Sequence, residues 1–221
     1  MNQQTVNVVE LFKSIEGEGI RAGFPTTFVR FAGCNLKCSY CDTAYAQENC
    51  SGRSMEWTHL MQQIFLAGCE RVTFTGGEPL LNGRAFIKYF LKHCPYKFDV
   101  NIETNGAVDI KNFVTNPNAM ITMDYKCPSS GMMDTMLCSN LSALRETDVL
   151  KFVVGTKEDL DEVEDILLTY NVHCRNIYIN PVFGQLPLQT IADFVINCRL
   201  RGVRMGLQMH KIIWDPDQRG V

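Results

Sequence analysis

The chain has 221 residues, of which 46% are hydrophobic and 20% charged, and its formal net charge is −3. This length and composition predict one domain, residues 1–221, with an ordinary buried core, and the charge excludes proteins that bind nucleic acid through a large positive surplus. No apolar run approaches the roughly 18 residues of a membrane-spanning helix, and the N-terminal residues contain acid and glycine where a signal peptide is apolar. We therefore expect a cytoplasmic protein with no nucleic-acid or membrane partner.

Strand-like and helix-like patterns alternate along the chain. Helices are expected between the strands: Ser54 is the predicted N-cap of a helix that ends before Gly68, and Thr156 is the predicted N-cap of another. Because strands joined by crossover helices pair in parallel, the pattern predicts an α/β fold with an open or barrel-like array. Short runs rich in Val, Ile, Phe or Met predict the strands, at residues 26–31, 71–75, 98–103, 119–125, 148–154, 175–180 and 203–209.

Polar and glycine-rich segments directly follow most of these predicted strands. In parallel α/β arrays the carboxyl ends of the strands meet at one rim, and functional groups gather there. One rim of the fold is therefore expected to carry nearly all the chemistry. The segments are GCNLKCSYC at 33–41, TGGEP at 75–79, ETNG at 103–106, DYKCPSSG at 124–131, INPVFG at 179–184 and QMHK at 208–211.

Three cysteines, Cys34, Cys38 and Cys41, follow the first predicted strand with three and then two intervening residues. Such spacing lets three thiolates hold one metal centre, and the loop offers no fourth cysteine nearby. A closed zinc site takes four ligands, so the spacing favours a cubic four-iron cluster with one iron open to a further ligand. A non-catalytic zinc-binding module, completed by a distant Cys or His, is the alternative.

These residues resemble the radical S-adenosylmethionine superfamily. The three cysteines match its CxxxCxxC loop, with the aromatic Tyr40 before the last cysteine, and GGEP at residues 76–79 matches a second superfamily motif. The ETNG sequence at 103–106 stands where superfamily members bind the adenosyl ribose and carboxylate. The resemblance implies a 4Fe–4S cluster whose open iron chelates S-adenosylmethionine, from which an electron releases a 5′-deoxyadenosyl radical.

Longer blocks resemble one family within that superfamily, the 7-carboxy-7-deazaguanine synthases. They are SIEGEG at 14–19, FVRFAGCNL at 28–36, CDT at 41–43, the lysine-containing loop at 126–130 and the tail at 207–221. The resemblance implies a carbon–nitrogen lyase that contracts 6-carboxy-5,6,7,8-tetrahydropterin to 7-carboxy-7-deazaguanine and ammonia, in queuosine or 7-deazapurine biosynthesis. It also implies an incomplete (β/α)6 barrel of parallel strands, closed over the substrate by an N-terminal segment and a C-terminal tail. A homodimer and a flavodoxin- or ferredoxin-type electron donor are implied as well.

The resemblance assigns individual residues to the cluster, the cofactor, Mg²⁺ and the substrate. Cys34, Cys38 and Cys41 would hold the cluster, and Thr43 would bind Mg²⁺. The S-adenosylmethionine site would comprise Tyr40, Cys41, Asp42, Gly77, Glu78, Glu103, Asn105, Asp124, Tyr125, Lys126 and Asn180. The pterin pocket would comprise Ile15, Glu16, Gly17, Glu18, Arg30, Thr75, His210 and Pro216.

The residue chemistry agrees with these assignments, and each has a structural alternative. A glutamate can accept the paired N–H donors of a 2-amino-4-oxopyrimidine edge, and Arg30 can bind a carboxylate in bidentate fashion. Alternatively, Arg30 pairs with a carboxylate within its strand, Glu16 and Glu18 form a solvated turn, and His210 is a packing residue. The chain departs from many synthases at Glu16, where they have glutamine, and at Asp124-Tyr125, where they have Ser-Pro. A glycyl-radical enzyme activase acting on a protein partner is a second enzymatic hypothesis.

Overall fold

The computed structural model describes residues 4–94 and 98–221, which form one nine-stranded sheet with helices packed against it. The strands are β1 Thr5–Ile15, β2 Pro25–Phe31, β3 Arg53–Glu56, β4 Arg71–Gly76, β5 Asp99–Thr104, β6 Ala119–Tyr125, β7 Val149–Val154, β8 Asn176–Pro181 and β9 Val203–Met205. The helices are α1 Trp57–Leu66, α2 Pro79–Asn82, α3 Arg84–His93, α4 Lys111–Val114, α5 Lys157–Thr169, α6 Leu188–Asn197 and α7 His210–Ile213. Within the described ranges, no helix is long and apolar enough to span a membrane.

The strand order is β3-β1-β2-β4-β5-β6-β7-β8-β9. The seven strands from β2 to β9 in this order run parallel, which confirms the predicted incomplete barrel of parallel strands. β1 pairs antiparallel with both β2 and β3, which extends the sheet beyond its predicted edge. Among the described residues the outer strands β3 and β9 do not pair with each other, so the barrel stays open.

Side chains alternate between the two faces of the sheet along each strand. Apolar side chains face the helices, and polar side chains face the barrel interior. In β4, Val72 and Phe74 are fully buried in the hydrophobic core, where Phe74 packs edge-on against Phe86 of α3. The intervening Thr73 and Thr75 face the barrel interior, where Thr73 meets Glu16 and Thr75 lines a cavity. The same sheet thus buries its core on one face and presents polar groups on the other.

Two local predictions need correction. Ser54 is not a helix N-cap: it lies in β3 and pairs with Asn7 of β1, while α1 begins at Trp57 after Glu56. Pairing with β1 is a long-range interaction that a local capping pattern does not reveal. No α-helix lies between β6 and β7, where the described chain forms only short 3-10 turns at Pro128–Ser130, Met133–Thr135 and Cys138–Ala143.

The segment after β1 closes the barrel from one end. Ile15 pairs with Pro25 at the start of β2, whereas Phe31 at the other end of β2 leads into the cysteine loop. Residues 16–24, here called the floor loop, therefore lie at the end opposite the cysteine loop. Hydrogen bonds from Glu16 N to Phe24 O (2.9 Å) and from Gly23 N to Glu16 O (2.8 Å) close this loop on itself.

The last predicted strand, 203–209, is shorter in the structure and ends at Met205. Gly206 N still donates to Ile179 O of β8 at 2.9 Å, but residues 208 and 209 leave the sheet and bond to the floor loop. Met209 N donates to Gly17 O at 3.0 Å, and Gln208 Nε2 donates to Glu18 at 2.8 Å. The tail is thus joined to the N-terminal segment within the barrel.

Candidate active site

A cavity of about 430 Å³ lies between the cysteine loop, the floor loop and the tail. It brings together most of the residues that the sequence assigned to the cluster, cofactor, magnesium and substrate. Three assigned residues, Glu78, Tyr125 and Asn180, do not line it. The assigned residues that do line it are Ile15, Glu16, Gly17, Glu18, Arg30, Cys34, Cys38, Tyr40, Cys41, Asp42, Thr43, Thr75, Gly77, Glu103, Asn105, Asp124, Lys126, His210 and Pro216.

The cysteine loop carries Cys34, Cys38 and Cys41 as free, half-buried thiols that all line this cavity. Backbone hydrogen bonds fix the loop: Cys34 N donates to Gln47 O at 2.8 Å, and Ser39 N donates to Ser130 O at 3.0 Å. Within the described ranges, no group of three or more His, Cys, Asp or Glu side chains converges as a single metal ion requires. Three thiols on one loop facing one cavity fit a multi-iron cluster, in which cysteines bind separate irons.

The glycines after β4 allow the chain to pass close to the cysteine loop. A Cβ on Gly76, whose φ is +135°, would stand 2.3 Å from Phe31 O, and one on Gly77 would stand 2.2 Å from Gly33 O. Glu78 follows them and is fully buried. Its carboxylate accepts hydrogen bonds from Leu80 N, Thr104 Oγ1 and Asn105 N, and burial raises its pKa to about 7.

Tyr125 and Asn180 lie outside the cavity for different reasons. Tyr125 alternates with Asp124 along β6 and points toward the helices, where its hydroxyl donates to Glu162 at 3.2 Å. Asn180 is fully buried at the end of β8, and neither of its amide atoms has a partner among the described residues. Neither residue lines the cavity.

A network of buried charges crosses the cavity from Lys126, which directly follows β6, to the floor loop. Lys126 Nζ is 3.0 Å from Asp124 Oδ2, and Lys151 Nζ is 3.6 Å from the same atom. Lys151 also pairs with Glu18 at 2.5 Å, and Gln208 donates to the other oxygen of Glu18 at 2.8 Å. Burial opposes ionisation of Glu18, but Lys151 and Gln208, with a smaller contribution from His210, together hold the pKa of Glu18 below its ordinary value.

Glu16 is 3% exposed and its Oε2 accepts a hydrogen bond from Thr73 at 2.7 Å. Burial, reinforced by the nearby carboxylate of Glu103, raises the pKa of Glu16 to about 8. The sequence alternative of a solvated acidic turn is therefore wrong for both Glu16 and Glu18, because both side chains are enclosed. The floor loop instead presents one neutral carboxyl and one carboxylate at the inner end of the cavity.

Arg30 lies at the other side of the cavity and is held by two side chains. Its Nε donates to Glu10 at 2.7 Å, and its Nη1 donates to Thr43 Oγ1 at 3.3 Å. Tyr45 also donates to Glu10, at 2.7 Å. The alternative interpretation of Arg30 is that it pairs with a carboxylate in the sheet, and its ion pair with Glu10 shows that it does. The paired guanidinium nevertheless lines the cavity.

The C-terminal tail covers part of the cavity. Lys211 Nζ is 2.9 Å from Asp42 Oδ2, which lowers the pKa of Asp42 to about 2 against the effect of burial. The guanidinium of Arg219 lies 3.7 Å from the centre of the Tyr45 ring. His210 packs so closely on Gly17 that a Cβ there would stand 2.2 Å from its Nδ1, and burial lowers the pKa of His210.

Several residues of the site were not predicted from the sequence. Lys151 interrupts the otherwise apolar strand β7, and a lone lysine in such a strand is a signal for a paired buried charge. Glu10 alternates with apolar residues in β1, which was not predicted as a strand. Tyr45 carries no local signal, because only the folded chain brings it to the cavity. Gln208 and Arg219 lie in the tail segment that the sequence singled out, but no individual role was predicted for them.

Comparisons with known proteins agree with this architecture. A profile of the Radical SAM superfamily matches residues 28–124. The 7-carboxy-7-deazaguanine synthase of Clostridium acetobutylicum is 43% identical, over 97% of this chain and 98% of that protein, and the one from Methanospirillum hungatei is 37% identical, over 96% and 86%. The crystal structure of QueE from Escherichia coli has the same fold, with a TM-score of 0.70 and 22% identity over 93% of this chain and 95% of that one. The chain therefore belongs to the 7-carboxy-7-deazaguanine synthase family of the radical S-adenosylmethionine superfamily.

Proposed function

We propose that this protein is a radical S-adenosylmethionine lyase that contracts 6-carboxy-5,6,7,8-tetrahydropterin to 7-carboxy-7-deazaguanine and ammonia. Relatives named 7-carboxy-7-deazaguanine synthase match nearly the full chain. The observation that carries the proposal is a single cavity that combines three cysteine thiols with an inner wall of buried acids and an arginine. A cavity of this size suits a small molecule rather than a protein segment, which disfavours a glycyl-radical enzyme activase.

Residues on the cysteine-loop side would hold the cluster and the cofactor. Cys34, Cys38 and Cys41 supply the thiolates, and the backbone at Gly77 and the carboxylates of Glu103 and Asp124 line the adjacent wall. When bound, the cluster and S-adenosylmethionine supply the radical that abstracts hydrogen from C6 of the substrate. Tyr40 fixes the mouth of this region, because its hydroxyl donates to Val153 O across the barrel at 3.2 Å.

Residues of the floor loop and β2 would orient the pterin. The carboxylate of Glu18 and the carboxyl of Glu16 face the region where the 2-amino-4-oxopyrimidine edge would bind, and they match its N–H donors. Arg30, which Glu10 and Thr43 hold in place, would bind the substrate carboxylate. Thr75 and His210 line the same pterin-binding region. Enclosure of the substrate there would exclude water that quenches a radical.

Thr43 is the proposed Mg²⁺ ligand. Its hydroxyl donates to Asp42 Oδ1 at 2.9 Å and accepts from Arg30, so it lies between a carboxylate and the proposed carboxylate-binding residue. Mg²⁺ prefers oxygen ligands and keeps several waters. The Thr43 hydroxyl together with substrate oxygens would supply a partial ligand set there.

The further partners are proposals of the same kind. We propose a homodimer and a flavodoxin- or ferredoxin-type electron donor, as the family resemblance implies. We also propose that residues 1–221 work as one domain, because β1 and β9 belong to the same sheet and the floor loop bonds to the tail at Gly17 and Met209.

Anaerobic turnover tests the activity directly. The reconstituted protein is incubated with dithionite, S-adenosylmethionine, Mg²⁺ and 6-carboxytetrahydropterin, and the deazaguanine product is measured by mass spectrometry. We expect product with little net loss of S-adenosylmethionine, and we expect Cys38→Ala to abolish it, whereas Cys50→Ala, at an exposed cysteine, retains it. Formation of 5′-deoxyadenosine without product would show that the substrate is wrong, and a colourless protein without cofactor cleavage would favour the zinc module.

A further inference from the structure

The side chain of Asn105 lies directly against the cysteine loop. Its Nδ2 is 3.7 Å from Cys34 Sγ and 2.9 Å from Asn35 Oδ1. Its Oδ1 accepts a hydrogen bond from Ala107 N at 3.0 Å. Each of the two N–H groups and the oxygen of this buried amide thus has a partner, which fixes its orientation.

Glu78 holds the backbone of Asn105 next to the cysteine loop. Asn105 N donates to Glu78 Oε2 at 2.7 Å, and Thr104 Oγ1 donates to Glu78 Oε1 at 2.9 Å. Glu78 N in turn donates to the carbonyl of Gly33, the residue before Cys34, at 2.8 Å. The contact between Asn105 and Cys34 is therefore set by a chain of buried hydrogen bonds that joins β5 to the cysteine loop.

A second N–H group points at the same sulfur. Leu36 N lies 3.4 Å from Cys34 Sγ, and the buried Leu36 side chain anchors this turn against the protein. Hydrogen bonds to the sulfurs of an iron–sulfur cluster stabilise its more negative, reduced state and so raise its reduction potential. The loss of one donor to the half-buried Cys34 sulfur should lower that potential.

We infer that Asn105 is a positioning residue for the cluster, in which the Nδ2–H group donates to the Cys34 sulfur and raises the reduction potential. This role differs from the contact with S-adenosylmethionine that the sequence suggested for Asn105. The inference rests on the proposed function, since it requires that the three cysteines hold a redox-active cluster.

The test is a redox titration of the reconstituted protein without S-adenosylmethionine, followed by the electron paramagnetic resonance signal of the reduced cluster. Asn105→Ala removes the donor, and Asn105→Asp removes it while keeping an oxygen for Ala107 N. In both variants we expect the ratio of reduced to oxidised cluster at a fixed potential to fall about tenfold, which is about 59 mV for a one-electron couple. If Asn105→Ala does not fold, the Asp variant carries the test.

Asn101→Ala is the matched control. Asn101 is also buried on β5, but its side chain accepts from Thr122 Oγ1 at 2.9 Å, away from the cysteine loop. We expect the control to leave the potential unchanged while losing a comparable buried hydrogen bond.

Two results separate the possible failures. If the Asn105 variants contain as much iron as the parent and keep the cluster's reduction potential, the inference is overturned. If these variants also lose affinity for S-adenosylmethionine, Asn105 belongs to the cofactor site instead. If the parent protein itself assembles no reducible cluster, the proposed function fails, and the inference fails with it.

Discussion

At the scale of single residues, Glu16 shows how burial changes what a side chain can bind. Its pKa of about 8 leaves the carboxyl protonated at neutral pH. A protonated carboxyl has a donor and an acceptor, as does the amide of the glutamine that many synthases carry there. The departure of this chain from the family pattern at Glu16 is therefore compatible with the same recognition of a pterin.

The raised pKa of Glu16 predicts a pH-dependent stability. Because the folded pKa of about 8 lies above the ordinary 4.5, the unfolded chain loses the proton first. This group's contribution to the free energy of unfolding is fully present below 4.5 and falls as pH rises toward 8. Urea unfolding across this range should show a smaller decline for Glu16→Gln than for the parent, and equal declines would contradict the raised pKa.

Lys151 predicts a large loss of stability when one partner of a buried network is removed. Lys151→Met leaves the carboxylates of Glu18 and Asp124 enclosed without their shared cation, at a cost of about 3 kcal/mol. Arg175→Ala is the control, because the Arg175–Glu146 pair is exposed and contributes less than about 1 kcal/mol. Chemical denaturation measures both, and similar losses would show that the buried network does not stabilise the fold.

At the scale of elements, the start of α5 supports the cysteine loop. Thr156 is the N-cap as predicted, and it forms a reciprocal capping interaction with Asp159. The Asp159 carboxylate also accepts from Ser129 N and Oγ, and the adjoining Ser129 and Ser130 carbonyls accept from Ser39 of the cysteine loop. The helix terminus and the cysteine loop are thus connected through one turn.

This connection predicts unequal effects of two neighbouring substitutions. Thr156→Ala removes one cap and should lower the free energy of unfolding by about 1 kcal/mol. Asp159→Ala removes a buried carboxylate that accepts several hydrogen bonds, so we expect a loss of about 3 kcal/mol. Chemical denaturation gives both values, and an Asp159→Ala loss no larger than that of Thr156→Ala would argue against the connection.

The elements that the sequence could predict are those with local patterns. Seven parallel strands and the capped α5 follow from apolar runs and capping residues. β1 and β3 were not predicted, because they depend on pairing between distant segments. Ser54 was predicted as a helix N-cap for this reason, although it lies in the four-residue strand β3, which forms by pairing with β1.

At the scale of the whole molecule, each of the segments predicted at the strand ends contributes residues to the cavity, although Glu78, Tyr125 and Asn180 within them do not line it. The rule that chemistry gathers at strand ends did not predict the inner wall, because the floor loop enters from the opposite end and brings Glu16 and Glu18 toward β4 and β7. Lys151 and Gln208 become part of the site only through that arrangement. The family motifs named Glu16 and Glu18 as site residues, but only tertiary contacts show how Lys151 and Gln208 hold them.

The tail predicts a separation between cofactor cleavage and substrate turnover. A chain ending at Trp214 lacks Pro216 and Arg219, which line the cavity beside Tyr45. We expect it to assemble the cluster and cleave S-adenosylmethionine, but with a KM for the pterin raised at least about tenfold. Steady-state kinetics and 5′-deoxyadenosine measurements check this, and an unchanged KM would exclude the tail from substrate binding.

The floor loop also has a kinetic consequence. Because it closes the barrel opposite the cysteine loop, a pterin that enters from the cysteine-loop end would pass the proposed S-adenosylmethionine site before it reaches Glu16. A cofactor already in place would obstruct that route. We therefore expect compulsory-order kinetics, in which the pterin enters first and the product departs only after the cofactor has dissociated.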